Sequence, residues 1–391
     1  MLIQKITILT FLMIFTGFAS AQKFLVRQIK WEQAASLPAS NGQSASLGFA
    51  GPINGVSNNV LIVAGGGNFP NGFPWEGGKK YYSNEIYVLQ KEGNKFTWNK
   101  KVKDTLHEPI AYCGSTSTDA GIVYVGGENE KGISNRCYLL KWDAAKNKIV
   151  LQSLPDLPLA LTNVGLTHAN SIVYAAGGDG AKNSSNSFFS LDLKDRNPEW
   201  KTLPDLPIAL ANATLIAQSG KHGENIYLIG GRTKTAAGIS DLHHTTFAFD
   251  PVKKSWRKCA DISSEKNNTN LSAAAGVALD KKYILMIGGD NGETFHKIET
   301  LISRIAKAGS EEEKEKLTKE KNALNIHHNG FYKGLLLYNT IEDKWTNIGE
   351  YPYPAQVTTT AVKWRNDIVI SNGEIKPGVR TPDVIFGTIS K

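Results

Sequence analysis

The sequence predicts an all-β chain folded as a six-bladed β-propeller, on three observations. An apolar run ending in a small-residue doublet recurs six times, a Trp stands at a steady distance from most doublets, and the two chain ends hold complementary parts of one unit. The runs are LIVAGG at 61–66, IVYVGG at 122–127, IVYAAGG at 172–178, IYLIGG at 226–231, ILMIGG at 284–289 and IVISNG at 368–373. Each reads as an apolar strand stopped at glycines, where backbone crowding or a positive φ excludes a side chain.

Trp31, Trp98, Trp200, Trp256 and Trp345 precede Gly66, Gly127, Gly231, Gly289 and Gly373 by 28 to 35 residues. The interval between the second and third doublets lacks its Trp, and Val150 takes the equivalent place. Pro turns follow in several units: SLP at 36–38, LPDLP at 154–158 and 203–207, and YPYP at 351–354. Aromatic runs such as NEIYVLQ (84–90), FFSLDL (188–193) and TTFAFD (245–250) lie between glycines and Trp. One unit is therefore four short antiparallel strands, the signature of a propeller blade. The units resemble kelch repeats, and the resemblance covers essentially all of residues 22–391.

The ends fit closure. After Asn372-Gly373 only one more strand is readable, DVIFGTI (383–389), and the first Trp segment, FLVRQIKW (24–31), has no doublet before it. The N-terminal strand should complete the C-terminal blade and remove the free sheet edges. Length alone would suggest two or three domains, but the repeat overrides that prior. One unit is oversized: 56 residues separate Gly289 from Trp345, against 22 from Gly178 to Trp200. Its excess, IETLISRIAKAGSEEEKEKLTKEKNALNI (298–326), places Leu301, Ile302, Ile305 and Ala306 near helical spacing among many Glu/Lys pairs. This predicts a helical insertion over about 295–328, either a solvated charged arm or a lid over the site.

At the N-terminus, Lys5, a 13-residue apolar stretch and Ala19-Ser20-Ala21 read as a secretory signal peptide over 1–21. The stretch is too short to span a bilayer, so no membrane span is expected and the protein should be periplasmic or secreted. Cys113, Cys137 and Cys259 form no disulfide framework, which leaves either one Cys113–Cys137 bridge or free buried thiols. The net charge of +8 is scattered, with no run of five basic residues. That argues against nucleic acid and suits an acidic small molecule. His243-His244 and His327-His328 are adjacent pairs whose side chains would point to opposite strand faces, so neither chelates alone. No metal or cofactor is expected, and GxSxG, HExxH and GxxxxGK[ST] are absent. A monomer and a homodimer both remain open.

The loops after the doublets should gather on one face around the channel. That places Gly67-Asn68, Glu128, Asp179, Arg232, Asp290 and Glu374 in comparable positions. The last loop, GEIKPGVRT (373–381), crowds Glu374, Lys376 and Arg380 around Pro377 and two glycines. This loop resembles the GE-x-KPG-x-R loop of the N-acetylneuraminate epimerases, or sialic acid mutarotases, which are exported kelch-type six-bladed propellers. The LPDLP turns, the GGGNFP segment with its long loop through Lys79-Lys80-Tyr81, and the helical insertion agree. In familiar members the loop lies mid-chain, so the resemblance implies a circularly permuted relative, which a closed ring tolerates.

The resemblance further implies an isomerase that interconverts the α and β anomers of N-acetylneuraminate, a small sugar acid. Glu374 would be its acid–base residue and Arg380 the partner that grips the sugar carboxylate. By their own charge, Lys376 and Arg232 would add positive charge where the sugar acid enters, and Glu128, by its place after a doublet, is a further candidate contact. From spacing alone, a Glu374–Arg380 salt bridge that only fixes the loop is the commoner arrangement. The main rival is a non-catalytic glycan- or protein-binding kelch propeller. A sialidase would need S-x-D-x-G-x-T-W repeats, which are absent, and a kelch-type copper oxidase would need a Tyr/His ligand set that nothing here singles out.

Overall fold

The computed structural model describes residues 29–40, 43–221, 223–264 and 267–389. Residues 1–21, read above as a signal peptide, lie outside the described residues. Six four-stranded antiparallel sheets succeed one another along the chain. Blades 1 to 5 occupy residues 53–98, 114–154, 165–203, 214–258 and 275–350. Blade 6 is built from Ala361–Trp364, Asp367–Ser371 and Asp383–Ile389, with Ile29–Ser36 as its outermost strand. That last pairing runs from Ile29 opposite Ile389 to Ser36 opposite Asp383, so the N-terminal strand closes the C-terminal blade as the sequence predicts.

Apolar burial is arranged between blades rather than within them. Six hydrophobic clusters each join two neighbours: Ile62 with Tyr124 spans blades 1 and 2, and Ile287 with Ile370 spans blades 5 and 6. The sixth, with Leu61 and Phe386, joins blade 6 back to blade 1. A blade removed from the ring would expose both faces, so the ring is held as one unit.

The repeated Trp and the repeated Pro turn answer each other across these interfaces. The Trp98, Trp200, Trp256 and Trp345 indole N–H groups donate to Ser36, Pro155, Pro204 and Ala260 carbonyls at 2.8–3.1 Å, each at the end of the preceding blade. In blade 6, Trp31 meets Tyr351 edge-on at 5.0 Å. In blade 2 the register puts Leu151, not Val150, in the place of the Trp, opposite Leu140 as Trp98 stands opposite Leu89, and the clasp differs: Ile149 N–H donates to Asp104 Oδ2 at 2.8 Å.

The insertion in blade 5 is a pair of helices, α1 (Glu293–Ala306) and α2 (Glu311–Ile326). The chain breaks between them because Ser310 caps α2, its hydroxyl accepting from Glu313 N–H at 3.1 Å. Ile298, Leu301 and Leu317 are buried, whereas Ile302 is 50% exposed. The pair is tied down rather than projecting: Ser240 donates twice to Glu299, and Asn322 donates to Trp75 O in the long loop of blade 1. All three cysteines are free thiols, so the Cys113–Cys137 alternative is not realised. No described helix is long and apolar enough to cross a membrane.

Replacing Trp200 by Phe removes one interblade hydrogen bond while keeping most of the apolar surface. Chemical denaturation should show a loss of about 1 kcal/mol with an unchanged m-value.

Candidate active site

Six residues at the inner edges of the blades, Gly51, Tyr112, Asn163, Asn212, Ala273 and Thr358, all have φ between 52° and 62°. The backbone N–H of each donates to the carbonyl of the one in the preceding blade at 2.7–3.3 Å, and Gly51 closes the circle on Thr358. The residue before each ring member makes a two-way bridge with the first residue after a doublet. The bridges are Ala50 with Gly67, Ala111 with Glu128, Thr162 with Asp179, Ala211 with Arg232, Ser272 with Asp290 and Val357 with Glu374. Backbone geometry thus sets the six post-doublet residues at equivalent positions around the axis, on one rim.

That rim is charged and mostly paired. Glu128 accepts from Tyr82 OH at 2.9 Å and from Lys80 Nζ at 3.3 Å. Burial works against the Lys80 ammonium, but Tyr112, Glu128 and Tyr82 outweigh it and raise its pKa. Burial, helped by the Glu128 bond, pushes the Tyr82 phenol up to about 12. On the next blade, the Asp179 carboxylate, 1% exposed, holds Arg232 Nη2 at 2.7 Å and Lys234 Nζ at 3.7 Å, and accepts from Ser184 at 2.9 Å. Arg232 Nη1 is buried without a partner among the described residues.

Glu374 and Arg380 face each other across the hairpin of Glu374–Lys376 and Val379–Arg380. Arg380 Nη1 donates to Glu374 Oε1 at 2.8 Å, and Gly378 N–H donates to the same oxygen. Arg380 Nε also reaches Gly67 O at 3.4 Å, and its guanidinium lies 4.8 Å from the Phe69 ring centroid. A Cβ on Gly378 would come within 2.9 Å of Pro74, so the loop of blade 1 presses directly on this hairpin. Arg380 is 5% and Glu374 16% exposed. Among the described residues, neither Glu374 Oε2 nor Arg380 Nη2 has a partner.

The structure therefore joins Glu374 with Arg380, and links them through Gly67 and Lys80 to Glu128. It does not bring Arg232 to them; that residue is locked on Asp179, on the blades opposite. Lys376 turns toward the insertion. Its charge, added to burial, lowers the pKa of His328, whose Nδ1 accepts from Gly330 N–H and so leaves the proton on Nε2.

Below the rim lies a channel of about 350 Å³. Ser115, Thr116, Thr167, His168, Thr214 and Lys363 are among its lining, and no carboxylate is. Proton transfer by a carboxylate therefore belongs to the rim, not to this larger volume.

The family model described as N-acetylneuraminate epimerase matches residues 16–149 and 154–391. The chain belongs to the N-acetylneuraminate epimerase family. An N-acetylneuraminate epimerase of Salmonella typhimurium is 29% identical over 236 residues, 60% of this chain and 58% of that protein. The Pasteurella multocida protein of the same name is 28% identical over 240 residues, 61% of this chain and 59% of that one. The aligned part thus spans somewhat under three fifths of these relatives' length.

In this epimerase-family chain, Phe69, Lys80, Tyr82 and Lys234 belong to the rim although sequence reasoning did not select them. Asp290 was placed by its register but given no role. It stands out because, among the described residues, it is the one acidic post-doublet side chain with no cation in ion-pair range. Its Oδ1 accepts from Gly292 N–H at 2.8 Å. Burial raises its pKa to about 6, with Glu374 and Glu299 adding to the shift and the Gly292 bond opposing it.

This raised value carries a stability cost with a definite sign. A carboxyl whose folded pKa exceeds its unfolded value favours the fold when protonated and destabilises it once pH rises through that interval. Asp290→Asn should therefore stabilise the protein by about 1–2 kcal/mol at pH 7.5, with the gain vanishing below about pH 4. Thermal denaturation of both proteins across pH checks this.

Proposed function

We propose that the protein is an exported mutarotase that interconverts the α and β anomers of N-acetylneuraminate, acting in the periplasm or outside the cell. One observation carries the reading: Glu374 and Arg380 are joined through Oε1 and Nη1, which leaves Glu374 Oε2 and Arg380 Nη2 without a partner among the described residues, on a charged rim.

The anomers of a 2-keto sugar acid exchange by ring opening. A base removes the proton of the anomeric hydroxyl, the bond from C2 to the ring oxygen breaks, and the ketone turns its other face before closure. Glu374 Oε2 serves as that base, because Oε1 is already committed to Arg380 and Gly378. Arg380 Nη2 takes the sugar carboxylate, and its Nε bond to Gly67 and its stacking on Phe69 fix the plane of the fork. Lys80 and Lys376 add positive charge on either side of this hairpin, which favours an anionic sugar over a neutral one.

Exchange of freshly dissolved N-acetylneuraminate, followed by NMR, tests the reading. Wild type should accelerate it, and Glu374→Gln should lower the catalysed rate by about 10²–10⁴-fold. Arg380→Lys keeps the charge but loses the fork, so KM should rise about tenfold or more. Tight binding of the sugar without accelerated exchange would instead support a glycan-binding propeller.

A further inference from the structure

We propose that Asp290 is the second proton carrier of this site, giving a proton to the sugar ring oxygen while Glu374 takes the one on the anomeric hydroxyl. The inference rests on the mutarotase reading and adds to it a residue for which the Glu374 hairpin alone has no substitute.

Geometry leads to it. Glu374 has one oxygen held by two donors, so only Oε2 can exchange a proton with the substrate. Ring opening needs two transfers, at the anomeric hydroxyl and at the ring oxygen, and one free oxygen cannot serve both in the same step. Asp290 occupies the equivalent post-doublet position on the adjacent blade. The Ser272–Asp290 and Val357–Glu374 bridges are joined through the ring bond from Thr358 N–H to Ala273 O. Among the described residues it is also the rim carboxylate without a cation partner, whereas each of the others has one.

The charged groups that face Asp290 are Glu374 from blade 6 and Glu299 from α1, the latter held by Ser240. With burial, these two keep the Asp290 carboxyl protonated up to about pH 6, against the Gly292 bond that favours its anion. A simpler role for Asp290 is to shape the start of α1 through Gly292. Asn would fill that role equally well, since its side-chain oxygen accepts the same bond.

The step balances. Glu374 accepts the hydroxyl proton, the electrons of the breaking C2–O bond pass to the ring oxygen, and that oxygen takes the proton of Asp290. The open chain then holds a ketone and a free hydroxyl. On closure from the other face, the hydroxyl returns its proton to Asp290 as it attacks C2, and the ketone oxygen recovers the proton on Glu374. Nothing is consumed.

The test measures anomer exchange with the full chain and N-acetylneuraminate across pH 5–8, subtracting the uncatalysed rate. Wild-type kcat should fall about tenfold per pH unit above a break near pH 6. Asp290→Asn should lower kcat by about 10² or more with KM within about threefold, and its residual rate should lack that break. Asp290→Glu should recover part of the rate with a displaced break. If Asp290→Asn keeps both kcat and the break while Glu374→Gln is inactive, Asp290 only shapes the helix start and this inference fails alone. If wild type does not accelerate exchange at all, the mutarotase reading fails and this inference with it.

Discussion

The closed circle of six backbone hydrogen bonds at the hub is the constraint on which the rest depends. Each member sits in the left-handed region, which is ordinary for Gly51, Asn163 and Asn212 but costs Tyr112, Ala273 and Thr358 about 1 kcal/mol or more apiece. They are held there from both sides, by the ring and by the bridges to the post-doublet residues. The doublets supply the other half of the constraint. Gly177 has φ 60°, and a Cβ on it would lie 2.2 Å from Leu210 O, so here the doublet packs against the turn that leads to the next blade only without a side chain. In blade 6 the same position is Asn372, at φ 60°, and its amide oxygen accepts from Phe49 N–H.

A rim set by backbone alone leaves its side chains free to differ, and here they form opposed pairs. Asp179 with Arg232 and Lys234 closes one side, and Lys80 with Glu128 and Tyr82 fills another. Between them, among the described residues, Glu374 with Arg380 keeps one oxygen and one nitrogen without a partner, and Asp290 has no cation beside it. An unpaired, part-buried carboxyl destabilises a fold, and the ring tolerates it because its stability comes from the interblade clusters rather than from the rim. The paired α1 and α2 helices, tied to blade 4 at Glu299 and to the long loop of blade 1 at Asn322, wall this side of the mouth.

The parts legible in the sequence are those with a local signature. The doublets, the Trp spacing and the split last blade follow from short-range crowding and strand period, whereas Val150 fell one residue short of the missing Trp, whose place the register gives to Leu151. Glu374 and Arg380 were legible together because a seven-residue hairpin brings them face to face. The hub was hidden, since Tyr112, Ala273 and Thr358 are not turn-type residues and their φ comes from long-range bonds. The Lys80–Glu128 and Arg232–Asp179 pairs were hidden for the same reason, as each joins two blades. Arg232 was expected at the substrate, yet its charge is already committed to Asp179. The insertion proved to be two helices, because the Ser310 cap is a signal that the apolar spacing of 298–306 does not carry. The first and last described strands, Ile29–Ser36 and Asp383–Ile389, pair in one sheet, which is the closure that the split last unit predicts.

The central claim is that the sugar binds on the rim between Glu374, Arg380 and Asp290. A crystal structure of Glu374→Gln with N-acetylneuraminate tests it most directly. The sugar carboxylate is expected on Arg380, the anomeric hydroxyl against residue 374 and the ring oxygen against Asp290. A sugar seated down in the channel among Thr116, Thr167 and His168, or on the outer surface of a blade, would contradict the account.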